Sequence, residues 1–176
     1  MAVLKILRMG NPILARRAED IMDISAPEVS RLIADMKETL QSEGGSGLAA
    51  PQVGVGLRLV VFRIPGRHRS ITSAVHGDFR VLVNPVVEPL GKELEAGWEA
   101  CLSVPGLVGE VWRYRAVRCR YYDETGALHT TDAQGFEARI LQHECDHLDG
   151  VLYPHHIRSM HKLIYSSELH HQGAIA

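Results

Sequence analysis

Residues 142–150 read QHECDHLDG. His143 and His147 can aim their imidazoles at one point only if the backbone between them is helical. Residues four apart share a helix face, whereas an extended chain would separate them by about 13 Å. Glu144 follows His143 and is offset by about 100° around the axis. Its longer side chain can therefore reach a group held between the histidines without being a ligand itself. The helix starts near Gln134 and stops at Gly150, and Pro154 prevents any immediate resumption. The rest of the chain has to be a fold that encloses this helix.

Residues 25–43, SAPEVSRLIADMKETLQSE, form the clearest helix. Ser25 and Glu28 make a capping-box pair, with Pro27 in the first turn. Val29, Leu32, Ile33, Met36 and Leu40 share one apolar face, and Gly44 and Gly45 end the element. Strands follow at 57–64 (LRLVVFRI) and 79–87 (FRVLVNPVV), rich in β-branched residues. The polar stretch between them, 65–78, reads as a surface loop in which His68 and His76 are solvated. Residues 111–122 (VWRYRAVRCRYY), the turn DETG and residues 127–132 read as a β-hairpin. Cys119 alternates with Val117 and Tyr121 and is a core residue, with His129 on the return strand.

This order predicts an α+β fold with segregated elements in a single domain; the chain's motifs, taken together, imply mixed or antiparallel strands packed around a central metal-binding helix. The domain spans 1–176, with its core at about 4–155 and a C-terminal tail at 156–176. A chain of 176 residues buries roughly 70% of its unfolded surface. The apolar and charged fractions, 45% and 23%, are those of a globular protein. A formal net charge of -2 argues against nucleic acid or an anionic membrane as the main partner. The basic run from Arg113 to Arg120 alternates with apolar residues and reads as the wet face of a strand. The N-terminus shows no secretory h-region and leaves little room for a transit peptide, and no run reaches the length of a membrane-spanning helix. Three cysteines, Cys101, Cys119 and Cys145, are too few for a disulfide framework and fit a reducing, cytoplasmic setting.

The H-E-x-x-H spacing is shared with zinc peptidases, which take a third ligand downstream. The extended peptidase pattern would put a histidine at 153, where this chain has Tyr153. The downstream glutamate alternative, Glu168, lies in the tail. Upstream, Cys101 in the loop-like WEACLSVPG (98–106) would complete a three-ligand site with one open position, the catalytic arrangement. Cys145, two residues after His143, points to the other side of the helix. The glycine-rich GGSGLAAPQVGVG (44–56) lacks the lysine and hydroxyl of a phosphate-binding loop, and its small residues let backbone approach a ligand. Gln52 within it can donate to a developing oxyanion. Each feature alone has a plainer reading: two solvated histidines, an inert buried thiol, a glutamine satisfying its own turn.

Taken together, GSGLAAPQ (45–52), EACLS (99–103) and QHECDHLDG (142–150) resemble the peptide deformylases, whose motifs are G-x-G-L-A-A-P-Q, E-G-C-L-S and Q-H-E-x-D-H-L-x-G. The resemblance implies hydrolysis of the N-formyl group of formylmethionyl nascent peptides, with release of formate. It implies Cys101, His143 and His147 as ligands of one divalent metal, iron(II), with zinc, nickel or cobalt as substitutes. Glu144 is then the base, and Gln52 and the Leu102 N–H are the oxyanion donors. Substrate would contact Gly45, Ser46, Gly47, Leu48, Glu99 and Ala100, with the methionine pocket near Phe136, Ile140 and His143. Asp146 is either an anchor behind the ligands or a charge on the solvated face of the helix. Ala100 departs from the family, which has glycine there; its methyl group would narrow the cleft beside Cys101 or demand a slightly different backbone, with activity expected to survive. The substrate implies a ribosome as a neighbour, which the basic run and the tail HHIRSMHKL could touch, although a solvated tail is the plainer reading.

Overall fold

The computed structural model describes residues 2–63 and 79–174, the side chains of 172–174 excepted. The loop expected at 65–78, with His68 and His76, and the expected strand end Ile64 lie outside the described residues.

The first helix, α1, spans Pro27–Glu43. It buries Val29, Ile33, Met36 and Leu40, and Leu32 packs at the edge of the same cluster. Gly44 closes it in the left-handed region at φ 69°, with its N–H on the Leu40 carbonyl, a conformation that costs glycine little. Its start differs from the expected capping box. Ala26 is the cap and carries no side-chain hydrogen bond. Asp23 Oδ1 takes both the Ser25 N–H and the Ser25 hydroxyl, at 3.0 and 2.6 Å, so a local turn outcompetes the cap.

Five antiparallel strands form the larger sheet in the order β1-β2-β3-β6-β7. They are β1 Gly47–Ala49, β2 Leu59–Arg63, β3 Phe79–Pro89, β6 Ala116–Tyr122 and β7 Leu128–Gln134. The second helix, α2, spans Gly135–Leu148. Strand β2 explains the layering. Leu59 and Val61 join the α1 cluster, while Val60 and Phe62 join Ala138, Leu141 and Leu148 of α2. A strand covered on both faces reads as an unbroken apolar run, as LVVF does. The β6–β7 hairpin is as expected: Val117 and Cys119 are buried, and His129 sits opposite Tyr121 with the two rings stacked.

A smaller sheet, β4-β5-β8, consists of Leu94–Cys101, Val104–Tyr114 and Leu163–Tyr165. It corrects four expectations. Residues 111–122 are not one strand, because β5 ends at Tyr114 and β6 starts at Ala116 in the other sheet. The inward residues keep the same phase across Arg115, so nothing local marks the break. Cys101 is not in a loop: it ends β4, and a tight turn at 102–103 leads straight into β5. Nor is Arg113 on a wet face. It lies on the Val111 side of β5 and is buried. Finally, the segment after residue 155 is not a bare tail, since β8 pairs with β5 through Val108↔Ile164; three residues carry too little pattern to read as a strand.

Helix α2 therefore lies between the two sheets. Gln142 pins it to the end of β5, with Oε1 accepting the Tyr114 N–H at 3.0 Å and Nε2 donating to the Tyr114 carbonyl at 2.9 Å. No described helix is long and apolar enough to cross a membrane.

Candidate metal centre and catalytic cleft

Strand β4 and helix α2 meet in three matched steps. Alternate strand residues advance about 6.6 Å, and helix residues four apart advance about 6 Å. One face of β4 (Gly97, Glu99, Cys101) thus tracks one face of α2 (Arg139, His143, His147). The Arg139 guanidinium lies against Gly97. Glu99 Oε2 meets His143 Nδ1 at 2.8 Å, and Cys101 Sγ meets His147 Nε2 at 3.3 Å. The last two steps bring one ligand atom each from Cys101, His143 and His147 within 4.8 Å of one another. Cys145 is excluded as the helix geometry requires, being buried on the core side. Tyr153, where a peptidase would carry its third ligand, instead stacks its ring against His143 with centroids 6.2 Å apart. Glu168 is exposed and bonded to Ser167.

Glu99 is the hub behind the ligands. Arg113 grips it with Nε on Oε1 and Nη2 on Oε2, both at 3.0 Å. Arg139 Nη1 adds a bond to Oε1 at 2.8 Å. Burial alone would raise the Glu99 pKa, but hydrogen bonds from His143 and Arg113 and the charge of Arg113 hold it well below the usual carboxylate range. Glu99, expected among the substrate contacts, borders the cleft, with its carboxylate committed to two arginines and to His143 Nδ1. That bond leaves His143 Nε2 as the ligand nitrogen. Asp146 extends the network, accepting from Arg113 Nη1 and meeting His156 Nε2 at 2.8 Å, so it is an anchor and not a solvated charge.

The donor set suits a divalent metal. One thiol and two imidazoles converge, as in three-ligand catalytic sites. Burial keeps His147 neutral, its pKa far below the ordinary value, so its lone pair is available. At His143 burial opposes protonation, yet hydrogen bonds with Cys101 and Glu99 raise its pKa to about 10, so a metal ion would bind there in place of that proton. Glu144 Oε2 and His147 Nδ1 are buried without a hydrogen-bond partner among the described residues, and in a native site such an atom calls for a ligand. Burial lifts the Glu144 pKa to about 7, against the pull of His143, which suits a proton carrier working near neutrality.

The centre opens into a cavity of about 1230 Å³. Gly45, Ser46, Gly47, Gln52, Glu99, Ala100, Cys101, Leu102, Phe136, Ile140, His143 and Glu144 all line it. Gln52 sits in a short 3-10 turn, Ala50–Val53. Its Oε1 accepts the Ala49 N–H at 2.9 Å, which turns Nε2 toward Ser103 Oγ at 3.1 Å and Cys101 Sγ at 3.5 Å. It satisfies its turn and still faces the metal centre. Strand β1 is an edge strand. The Arg63 N–H binds the Ser46 carbonyl at 2.8 Å, so by alternation Ser46 and Leu48 face β2 and the Gly47 peptide groups face the open edge. Leu48 was expected against substrate, and here the structure disagrees: its side chain is fully buried in the α1 cluster. A Cβ on Gly47 would overlap the Glu144 carboxyl, whose Cδ would be 2.6 Å away.

Residues 3–163 match the polypeptide deformylase family. The chain belongs to that family. Its members remove N-formyl groups from nascent polypeptides. The chain is 49% identical over 164 residues to peptide deformylase 1 of Bordetella pertussis, covering 93% of each. It is 43% identical over 175 residues to peptide deformylase 1 of Prochlorococcus marinus, covering 99% of this chain and 91% of the relative. Among solved structures, the class I type b peptide deformylase of Acinetobacter baumannii with Met-Ala-Ser bound superposes with a TM-score of 0.80 at 33% identity, covering 89% of this chain and 99% of that one. The Synechococcus elongatus enzyme in complex with actinonin gives 0.81 at 33% identity, covering 92% and 82%.

Sequence reasoning missed several residues of the site. Arg113 was legible in principle: it shares its strand face with Val111, while Trp112 and Tyr114 take the other. Ser103, which receives Gln52, and the segment Leu4–Arg8, which lines the cleft, gave no local signal.

Proposed function

We propose that this chain, acting as one catalytic domain, removes the formyl group from the N-terminal formylmethionine of newly made polypeptides and releases formate. The observation that carries the reading is the convergence of Cys101, His143 and His147 within 4.8 Å beside the buried Glu144 carboxyl in the cleft wall. These three residues would hold the metal. Iron(II) is the ion we propose, with nickel, cobalt or zinc as substitutes, since two imidazoles and a thiolate suit all four. When bound, such an ion supplies a Lewis acid that lowers the pKa of water.

The chain's own residues do the rest. The substrate extends along the open edge of β1, where the Gly47 peptide groups offer strand-type hydrogen bonds. Its methionine side chain enters the apolar pocket at Phe136 and Ile140. Glu144 takes a proton from the attacking water as the water oxygen bonds to the formyl carbon. Gln52 Nε2 and the Leu102 N–H donate to the oxygen that becomes negative. Glu144 then hands its proton to the departing amine as the C–N bond breaks, leaving formate and a free N-terminus. A substrate still on the ribosome calls for a cytoplasmic setting and for approach to that particle.

The test is formate release from formyl-Met-Ala-Ser by protein loaded with nickel, or with iron(II) in the absence of oxygen, beside an acetylated control peptide. Release from the formyl peptide alone is expected. The variant Glu144→Ala should lose about 10²–10⁴-fold in turnover while still binding metal. A metallated protein that releases no formate would remove the reading. If metal and fold were lost together in the variant, Glu144 would be structural.

A further inference from the structure

We propose that Arg139 is a positioning residue of the metal site, acting through Glu99 on His143 from a seat that exists only because residue 97 is glycine. The proposal rests on Cys101, His143 and His147 being the metal ligands.

Arg139 occupies the third of the steps joining β4 to α2, one helical turn before His143. Its side chain is 13% exposed, at the border of the cleft. Four acceptors surround it. Nη1 reaches Glu99 Oε1 at 2.8 Å, the Val111 carbonyl at 3.0 Å and the Gly97 carbonyl at 3.4 Å, and Nη2 reaches the Glu95 carbonyl at 2.8 Å. An arginine serving only as a surface charge would not be tied to three backbone carbonyls on two strands. Its planar fork makes this possible, and a lysine could satisfy only part of it.

Two features connect this anchorage to the metal site. The first is the division of labour on Glu99. Oε1 receives Arg113 Nε and Arg139 Nη1, and Oε2 receives Arg113 Nη2 and His143 Nδ1. Arg113 grips both oxygens along one edge, and Arg139 reaches Oε1 from a second direction. With Oε1 held from two sides, Oε2 is the oxygen presented to His143. Arg113 and Arg139 thus both face the Glu99 carboxylate, and Arg113 faces Asp146 as well.

The second feature is Gly97. It lies within an extended strand, where no unusual backbone angle demands glycine. A Cβ there would fall 2.8 Å from both Cζ and Nη2 of Arg139, closer than a side-chain carbon tolerates. The missing side chain is the space the guanidinium fills. Since the clash involves the far end of a long side chain, Gly97→Ala should push Arg139 aside and leave the strand intact.

The test measures Arg139→Met, Arg139→Lys, Gly97→Ala and the double variant Gly97→Ala/Arg139→Met. Four readouts are taken: zinc affinity by chelator competition, kcat and KM on formyl-Met-Ala-Ser, the melting temperature of metal-free protein, and the visible spectrum of the cobalt-loaded form. Arg139→Met should weaken zinc binding by about tenfold or more, lower kcat with KM little changed, and alter the cobalt bands. Arg139→Lys should recover part of each loss. Gly97→Ala should reproduce Arg139→Met, and the double variant should be no worse than either single one. A raised KM with zinc affinity and spectrum unchanged would make Arg139 merely a cleft wall. A lowered melting temperature alone would make it merely a fold staple. Additive losses in the double variant would detach Gly97 from it. Each of these outcomes overturns the proposal. Should Arg139→Met not fold, Gly97→Ala and Arg139→Lys decide the matter by the same readouts. A wild-type protein that binds no zinc would instead remove the metal-site reading, and the proposal with it.

Discussion

Glu99→Gln replaces the hub of the buried network without changing its volume. In the native site the carboxylate accepts from Arg113 twice, from Arg139 once and from His143 once. Every one of these partners is a donor. Glutamine keeps one acceptor oxygen but turns an N–H₂ group against donors, and it leaves the buried Arg113 with Asp146 as its remaining counter-charge. Breaking one partner of a buried ion pair costs about 3–5 kcal/mol. For a chain of this size that corresponds to a fall in melting temperature of about 6–20 °C. Metal-free protein with excess chelator should be unfolded in denaturant, so that metal binding does not enter the comparison. Glu99 titrates well below its ordinary value of 4.5. A depressed carboxylate stabilises fully above its unfolded pKa and loses that contribution as pH falls through the folded one. The gap between wild type and variant should therefore be constant from neutral pH down to the ordinary carboxylate range and close in stronger acid. The paired substitution Glu99→Met/Arg113→Met should recover part of the loss, because it buries no lone charge. A single variant as stable as wild type at pH 7 would refute the picture of Glu99 as a buried structural hub.

Other perturbations separate chemistry from folding. Gln52→Leu should cost about 10²–10³-fold in kcat with metal content unchanged, and should also lower the melting temperature, because the buried Ala49 N–H loses its acceptor; an unaffected kcat would leave Gln52 as a turn residue only. Gly47→Ala should displace the Glu144 carboxyl and cut turnover by about 10²-fold or more while zinc is retained, which steady-state kinetics beside metal analysis would check. Burial raises the Cys119 thiol from 9.0 to about 12. A raised acid stabilises fully below its unfolded pKa and loses that contribution as pH rises through the folded one. Wild type should therefore lose up to about 4 kcal/mol between those two values from this group. Cys119→Ala should remove that slope while carrying a pH-independent cavity cost, as denaturant titrations at pH 8 and in alkali would report.

The pairing of His143 and His147 on one helix face was readable because the helix period and the H-E-x-x-H spacing act on neighbours in the chain. The hairpin of β6 and β7, the apolar stripe of α1 and its glycine stop are local in the same sense. What escaped detection was decided at a distance. Strand β4 has Gly97, Glu99 and Cys101 on its inner face, a small and polar set that shows no hydrophobic alternation, so Cys101 read as a loop residue. Arg113 looked like one of several alternating surface arginines. It is buried because Glu99 and Asp146, 14 residues before it and 33 after it, arrive at its head group.

The sequence alone therefore determined the helix and its two histidines with the adjacent Glu144, which depend on spacing within a single element, and the family, whose three motifs are each short and local. Only the tertiary structure decided which face of β4 meets α2, that the strand and helix rises match closely enough to seat Glu99 on His143 and Cys101 on His147, and that Gly97 leaves room for Arg139. These are contacts between segments about 40 residues apart. No rule of local periodicity reaches that far, because the distance between such segments is set by how the two sheets close around the helix.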